Sequence, residues 1–122
     1  MGITSIAGSG MRAGMARLDV AARNIAGAAT SGDEAYRPIT AVQESTAEGG
    51  VRTSLSERSP AFTSYYDPEL SGADANGMVN FPNVDTTSEL IDGMQASLTY
   101  KANASVLRTA GDMAGTLFDI LG

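Results

Sequence analysis

The segment most like a metal-binding loop is residues 67–77, which read DPELSGADANG. An EF-hand calcium loop needs oxygen ligands at its odd early positions, a glycine at its sixth position and a glutamate at its twelfth. Counting from Asp67, Gly72 suits the sixth position, but the twelfth position is Met78. This mismatch favours a solvated turn, so we predict no metal site and no cofactor site.

Carboxylate pairs are the other candidates for chemistry, namely Glu44 with Glu48 and Asp67 with Glu69. A glycosidase needs two carboxyl groups that face each other across a cleft, and spacing in the sequence alone does not indicate that arrangement. The chain has no histidine, which removes the usual general base near neutral pH. It also has no cysteine, so a thiolate nucleophile or metal ligand is excluded. We therefore predict no catalytic residues and no enzyme, with a small hydrolase as a minor alternative.

The charge of the chain is acidic and unevenly spread. The net charge is −6, from 8 basic and 14 acidic residues. Residues 1–30 have a balance of +2, residues 31–85 a balance of −6, and residues 86–122 a balance of −2. A chain of this kind lacks the basic patch that nucleic-acid binding needs. We expect no nucleic-acid partner and no small-molecule substrate.

The first residues do not have the pattern of a secretory signal. They lack a basic region, and Gly8, Ser9 and Gly10 interrupt the apolar run. The sequence also has no stretch of about 20 apolar residues, the length that a helix needs to span a bilayer. If the protein leaves the cytoplasm, we expect export without a cleaved signal peptide.

The elements that position any functional side chain begin with a helix predicted over residues 9–30. Met11, Leu18 and Ile25 recur every seven residues, and Met15 lies between the first two. This spacing predicts one apolar stripe along the helix. Methionine and alanine in such a stripe are ordinarily packing residues.

Residues 31–85 are predicted to hold loops and short strands. Residues 51–56 alternate between apolar or threonine side chains and polar ones, which predicts a strand. Residues 62–66 are a weaker strand candidate, and residues 78–81 alternate before Pro82, which has no N–H to continue a ladder. We expect at most a small hairpin or a three-stranded patch here.

A second helix is predicted over residues 86–121. Thr86 and Glu89 have the spacing of a capping box, in which each side chain bonds to the backbone of the other residue. At about 1.5 Å per residue this helix is about 54 Å long. A compact domain of this chain length is only about 35 Å across. Part of the apolar stripe must therefore be covered by other molecules.

The candidate functional residues are the large apolar side chains of the two predicted helices, which we expect to pack between subunits: Met11, Met15, Leu18, Ile25, Ile91, Met94, Leu98, Val106, Met113, Leu117, Phe118 and Ile120. The predicted fold class is mainly α, with two long terminal helices and a small β-containing middle. The predicted divisions are an N-terminal helical part (1–30), a middle segment (31–85) and a C-terminal helical part (86–122).

Both ends of the sequence resemble the bacterial flagellar rod and hook proteins. SGMRAGMARLDVAARNIAGAAT, residues 9–30, is similar to the N-terminal motif of that family, and residues 65–121 are similar to its C-terminal region. The elements Tyr-Asp-Pro, Gly-x-Val-x-x-Pro-Asn-Val and Tyr-x-Ala-Asn are most similar to the proximal rod members of the flagellar basal body.

The resemblance implies a structural subunit of the proximal rod, the axial drive shaft that transmits motor torque across the periplasm. The partners it implies are copies of the chain and other rod proteins in a helical assembly, together with the flagellar type III export apparatus. It also implies that the terminal helices pair in a coiled-coil-like inner layer. On the residues alone, a soluble helical-hairpin adaptor or export chaperone remains an alternative.

Overall fold

A computed structural model describes residues 2–122 of the chain. Two α-helices, one short 3₁₀ helix and four strands occur in that part of the chain. In chain order they are α1 (Ile3–Gly27), the 3₁₀ helix (Gly32–Glu34), β1 (Ile39–Ser45), β2 (Val51–Glu57), β3 (Phe62–Tyr66), β4 (Met78–Pro82) and α2 (Thr86–Leu121).

The strands form two separate antiparallel sheets of two strands each. In the first sheet, β1 pairs with β2 so that Ile39 lies opposite Glu57 and Ser45 opposite Val51. In the second sheet, β3 pairs with β4 so that Tyr66 lies opposite Met78. Two-stranded sheets are only marginally stable alone, so both depend on packing against the helices and the connecting loops.

The predicted fold class, mainly α, is wrong. The four strands and two sheets make the middle of the chain a substantial β region between the two helices. The prediction of one hairpin or one three-stranded patch is also wrong. It missed β1, because Ile39–Val42 is a nearly continuous run rather than an alternating one and Glu44 follows close behind. Pairing with β2 and contact with α1 select the extended conformation of this segment.

The helices lie side by side and run in opposite directions. Ile3, at the start of α1, lines a groove with Val106 and Met113 of α2, whereas Leu18 lies beside Gly93 near the start of α2. α2 is confirmed as one helix of 36 residues, and α1 has 25 residues and begins six residues earlier than predicted. By the rise of about 1.5 Å per residue, α2 is about 16 Å longer than α1.

The capping box predicted from Thr86 and Glu89 is wrong. Asp85 caps α2, since its Oδ1 accepts hydrogen bonds from the backbone N–H groups of Thr87 at 3.0 Å and Ser88 at 3.3 Å. An ionised carboxylate at the N-cap is a strong acceptor for these unpaired N–H groups. The Glu89 carboxylate is therefore free to bond elsewhere, and it bonds to Arg58 at 2.7 Å.

The first sheet lies against α1 on a side that α2 does not cover. The Ser9 hydroxyl accepts a hydrogen bond from the Val51 N–H at 3.1 Å, and the Gln43 amide donates to the Ala13 carbonyl at 3.3 Å. The core is consequently centred on α1, whose buried residues lie on the sides facing α2 and the first sheet. Within residues 2–122, neither α-helix has the length and apolar character needed to cross a membrane.

Candidate subunit interface

The contact between α1 and α2 is made by small residues. A Cβ atom on Gly14 would lie 3.0 Å from the carbonyl oxygen of Ala96, and one on Gly93 would lie 3.5 Å from Leu18 Cδ1. Ala96 is completely buried and Ala21 nearly so. We call this contact the small-residue seam. Its small residues let the two helix backbones approach closely, and the large Leu18 side chain lies over Gly93.

The large apolar residues of α2 lie mainly on a face turned away from the small-residue seam. Ile91 and Leu98 are 50% and 68% exposed, and Met113 is 68% exposed. Their positions repeat with the period of a helix, so they form one continuous stripe, which we call the outer face. Soluble monomers rarely leave such a long apolar stripe uncovered, and uncovered stripes mark interaction surfaces.

Most of the residues predicted to pack between subunits are exposed in this single chain, and two are half-buried. The half-buried residues are Met11 and Ile25. The exposed residues are Met15, Leu18, Ile91, Met94, Leu98, Val106, Met113, Leu117, Phe118 and Ile120. The fold leaves these side chains accessible to solvent in the single chain.

The last three turns of α2 extend past most of α1, although Met113 still lines a groove with Ile3. Every residue from 111 to 122 is exposed, and a Cβ atom added at Gly111 or Gly115 would meet nothing within 4 Å. Phe118 is 73% exposed, and Ile120 is 76% exposed. We call residues 111–121 the overhang. It is apolar around most of its circumference, and contact of this surface with water is unfavourable.

A buried asparagine joins α1 to the first sheet. The Asn24 side chain is fully buried; its amide donates to the Ile39 carbonyl at 2.9 Å, and its oxygen accepts from the Ile39 N–H at 3.1 Å. The same oxygen accepts a hydrogen bond from the Tyr36 hydroxyl at 3.1 Å. The amide thus pairs with the backbone as a neighbouring strand would, which fixes α1 relative to β1.

A buried ion pair joins the first turn of α2 to the end of β2. Arg58 donates to the Glu89 carboxylate at 2.7 Å and to the Asn83 carbonyl at 3.0 Å. The Asn83 amide in turn donates to the Pro60 carbonyl at 3.0 Å. This network spans the chain just before α2, so it sets the direction in which the long helix leaves the β region.

The Tyr36 hydroxyl bonds to Asn24, and the charges of Arg58 and Glu89 also act on it. Burial raises the pKa of Tyr36 above its ordinary value of 10.0; the positive charges of Arg23 and Arg58 oppose this, and Glu89 adds to it. A Cβ atom on Gly27 would overlap the Tyr36 ring, so the ring packs directly on the end of α1. The phenol is therefore a structural hydrogen-bond donor held in its neutral form.

Residues 67–77, the segment most like a metal-binding loop, form turns. The Asp74 carboxylate accepts from the N–H groups of Asn76 at 2.8 Å and Met78 at 2.9 Å, and Asp67 accepts from the Glu69 N–H at 3.2 Å. Gly77 has a positive φ of 78°, which side chains rarely adopt. In the part of the chain that the structure describes, no group of three or more histidine, cysteine or acidic residues is placed to hold a metal.

Sequence reasoning missed Asn24, Arg58 and Asn83. A signal for Asn24 was present, because it is a polar residue on the side of α1 that also carries Ala13, Val20 and Gly27. Arg58 gave no such signal, since its partner Glu89 is 31 residues away in the chain.

Comparisons with known proteins show which proteins this chain is similar to. The family model described as "Flagellar basal body rod FlgEFG protein C-terminal" matches residues 75–120. The chain is similar to the flagellar basal-body rod protein FlgC of Agrobacterium fabrum, with 34% identity over 97% of this chain and 92% of the relative. FlgC of Salmonella typhimurium is 38% identical and FlgC of Escherichia coli O157:H7 is 36% identical, each over 93% of this chain and 91% of the relative.

Proposed function

Because the chain belongs to the family of flagellar basal-body rod proteins, we propose that it works as a load-bearing subunit of the proximal rod. Its function is that of a structural subunit of the rod in the flagellar basal body, where it assembles with other rod proteins. The finer proposal is that it forms part of the axial shaft that carries motor torque across the periplasm.

The overhang is the observation that carries this proposal. A helix that extends past its own partner with exposed Leu117, Phe118, Ile120 and Leu121 cannot satisfy its apolar surface within one chain. A tubular assembly supplies the missing contacts from neighbouring subunits. We include the exposed residues of α1, such as Met15 and Leu18, in the same packing surface.

Torque transmission requires that the helix pair not turn relative to the β region. Asn24 fixes α1 to β1, and Arg58 with Glu89 fixes α2 to the end of β2. Buried, fully bonded polar groups of this kind specify one arrangement because any other leaves them unpaired. This supports a rigid subunit.

The proposal also covers how the subunit is exported and whether it has enzymatic activity. We include the flagellar type III export apparatus as a partner, with passage in an unfolded state and without a cleaved signal peptide. We also propose that the subunit has no enzymatic activity. A soluble adaptor or export chaperone is not favoured, since the relatives named above are all rod proteins.

The test is a truncation that ends the chain at Thr116 in a strain lacking the wild-type copy. We expect a soluble, folded subunit, no incorporation into purified basal bodies and no motility. The matched control is full-length Thr99→Ser, which changes an α2 side chain outside the overhang. Intact, motile rods containing the truncated chain would contradict the proposal.

A further inference from the structure

Asn76 and Gly77 form a dipeptide in which asparagine is readily modified without an enzyme. Glycine has no Cβ atom, so its backbone nitrogen can approach the side-chain carbonyl carbon of a preceding asparagine with little obstruction. The chain has five asparagines. Larger residues follow the other four, which are Asn24, Asn80, Asn83 and Asn103. The chain therefore contains a single asparagine at which this reaction is fast whenever the backbone is free to move.

The reaction is a deamidation that consumes water and releases ammonia. The Gly77 nitrogen gives its proton to a base in solution and bonds to the Asn76 Cγ atom, which closes a cyclic succinimide. The bond from Cγ to the side-chain nitrogen breaks, and that nitrogen takes up a proton and leaves as ammonia. Water then opens the ring. Attack at Cγ yields aspartate, whereas attack at the backbone carbonyl yields isoaspartate, in which the main chain runs through Cγ.

The fold holds the attacking nitrogen in a hydrogen bond. The Gly77 N–H donates to the Asp74 carbonyl at 3.0 Å, so this bond must break before the nitrogen can lose its proton. The Asp74 carboxylate accepts from the N–H groups of Asn76 at 2.8 Å and Met78 at 2.9 Å, which flank Gly77. The Asp74 N–H also donates to the Met78 carbonyl at 2.9 Å. Asp74 thus fixes the backbone on both sides of the reacting nitrogen.

Gly77 is also shielded from solvent, although Asn76 is exposed. A Cβ atom on Gly77 would lie 2.8 Å from Tyr66 Cε2 and 3.1 Å from Pro68 Cβ, so both side chains lie against its backbone. The Gly77 carbonyl accepts a hydrogen bond from the Asp67 N–H at 2.9 Å. A base in water reaches a buried, hydrogen-bonded amide only through local opening. The asparagine side chain is therefore accessible while the nitrogen that attacks it is not.

We propose that Asn76 is a site of spontaneous deamidation that the folded subunit suppresses and the unfolded chain allows. Water is the reactant, and the reaction takes place without an enzyme. Isoaspartate lengthens the backbone between the Asn76 and Met78 N–H groups, which Asp74 now holds together. Because β4 begins at Met78 and Val79 is completely buried, a chain that reacts before folding has an altered entry to a buried strand.

The full-length wild-type chain tests this directly. One sample is kept folded and another is unfolded in guanidinium chloride, in the same mildly alkaline buffer and at the same temperature. Deamidation replaces an amino group by a hydroxyl and raises the mass, and mass spectrometry of peptide fragments locates the changed residue. Asp92 also precedes a glycine, but its conversion to isoaspartate leaves the mass unchanged. Asn76→Gln is the matched control, because the longer side chain closes the ring far more slowly.

In the unfolded sample, Asn76 should deamidate at least about ten times faster than Asn80 or Asn83, because glycine follows it. In the folded sample, its rate should be at least about ten times lower than in the unfolded one, since the turn must open first. Equal rates at Asn76 in the two samples would overturn the protection by the fold. A rate at Asn76 no higher than at Asn80 in the unfolded chain would overturn the site itself.

Asp74→Ala gives a second measurement on the folded subunit. It removes the carboxylate that accepts from Asn76 and Met78, so deamidation of the folded subunit should rise about threefold to tenfold as the turn opens more easily. Asp67→Ala is the matched control, because the Asp67 carboxylate accepts from the Glu69 N–H instead. An unchanged rate in Asp74→Ala, or an equal rise in both variants, would overturn the role of the Asp74 carboxylate.

Discussion

Arg58 and Glu89 form an ion pair that lies mostly inside the protein: the nitrogen and oxygen are 2.7 Å apart, and the side chains are only 25% and 4% exposed. Arg58 also donates to the backbone carbonyl of Asn83. The pair connects the end of the first sheet with the first turn of α2, so the long helix is fixed where it leaves the β region.

Removing one member of this pair should be costly. We expect Arg58→Ala to lower the free energy of unfolding by about 3–5 kcal/mol, because Glu89 is left buried without its partner. Urea denaturation of the purified subunit measures the change. Arg37→Ala is the control, since Arg37 and Glu57 are both more than 60% exposed at a separation of 4.0 Å, and we expect a loss below about 1 kcal/mol. Equal losses in the two variants would contradict the structural role of the buried pair.

Asn24 should tolerate no apolar replacement of similar size. Asn24→Leu removes the bonds to both backbone groups of Ile39, and each unpaired buried group costs about 1–3 kcal/mol. We expect faster hydrogen exchange at the Ile39 amide together with the loss in stability. Asn80→Leu serves as a comparison, because its bond to Ser64 is exposed. Similar exchange in both variants would count against the pairing of α1 with β1.

Two glycines of the helices should respond in opposite directions to the same substitution. Gly14→Ala should destabilise the subunit, because the added methyl lies 3.0 Å from the Ala96 carbonyl oxygen. Gly115→Ala should stabilise the overhang helix by about 0.5–1 kcal/mol, since nothing lies nearby and alanine is the better helix former. Thermal melting followed by circular dichroism compares them. Stabilisation by both substitutions would show that the small-residue seam has room for a methyl group at Gly14.

Leu98→Asp should separate folding from assembly. Leu98 is 68% exposed, so we expect the subunit to unfold at nearly the same urea concentration as wild type, within about 0.5 kcal/mol. Incorporation into basal bodies should be lost, because the carboxylate would be buried against a neighbouring subunit without a partner. Leu98→Met, which conserves volume, should incorporate normally. Normal incorporation of the aspartate variant would contradict the proposal that the outer face packs against a neighbouring subunit.

Alkaline pH should weaken the fold through Tyr36. Its pKa is raised in the folded state, chiefly by burial, so folding favours the neutral phenol. The stabilisation is present below the unfolded value of about 10 and is lost as pH rises through the folded pKa. Urea midpoints measured across this range should fall less steeply for Tyr36→Phe than for wild type. Parallel pH profiles would contradict this role of the phenol.

The positions of the large apolar side chains could be predicted from the sequence better than the role of the small residues. Leu98 and Met113 reveal the outer face by their spacing alone, because large side chains dominate any hydrophobic period. Gly14 and Ala96 make the seam inside the subunit, yet they carry little hydrophobicity and gain their role only from close backbone approach. The sequence therefore indicated the exposed apolar face of α2 better than the contact within the chain.

The contacts of the buried and capping polar residues could not be predicted from the sequence for a different reason. Asp85 rather than Thr86 caps α2, and the Glu89 carboxylate bonds to Arg58 instead of to the backbone at the start of the helix. Such a choice is made by tertiary contacts between residues distant in the chain, which local spacing does not contain. The strand β1 was missed for the same reason, since its extended form depends on β2 and on Asn24.

The antiparallel pairing of α1 and α2 also affects the order in which contacts form as the chain folds. Gly14 and Ala96, which meet in the seam, are 82 positions apart, so their contact closes one of the longest loops in the chain. Contacts of such wide separation form late, because the entropy of loop closure is lost before they contribute any stability. Because synthesis begins at the N-terminus, α1 is made first, and it can pack on α2 only after the last residues of the chain have been made. Until α2 is present, α1 lacks the partner that covers its small buried residues, so an incomplete chain cannot hold the finished arrangement.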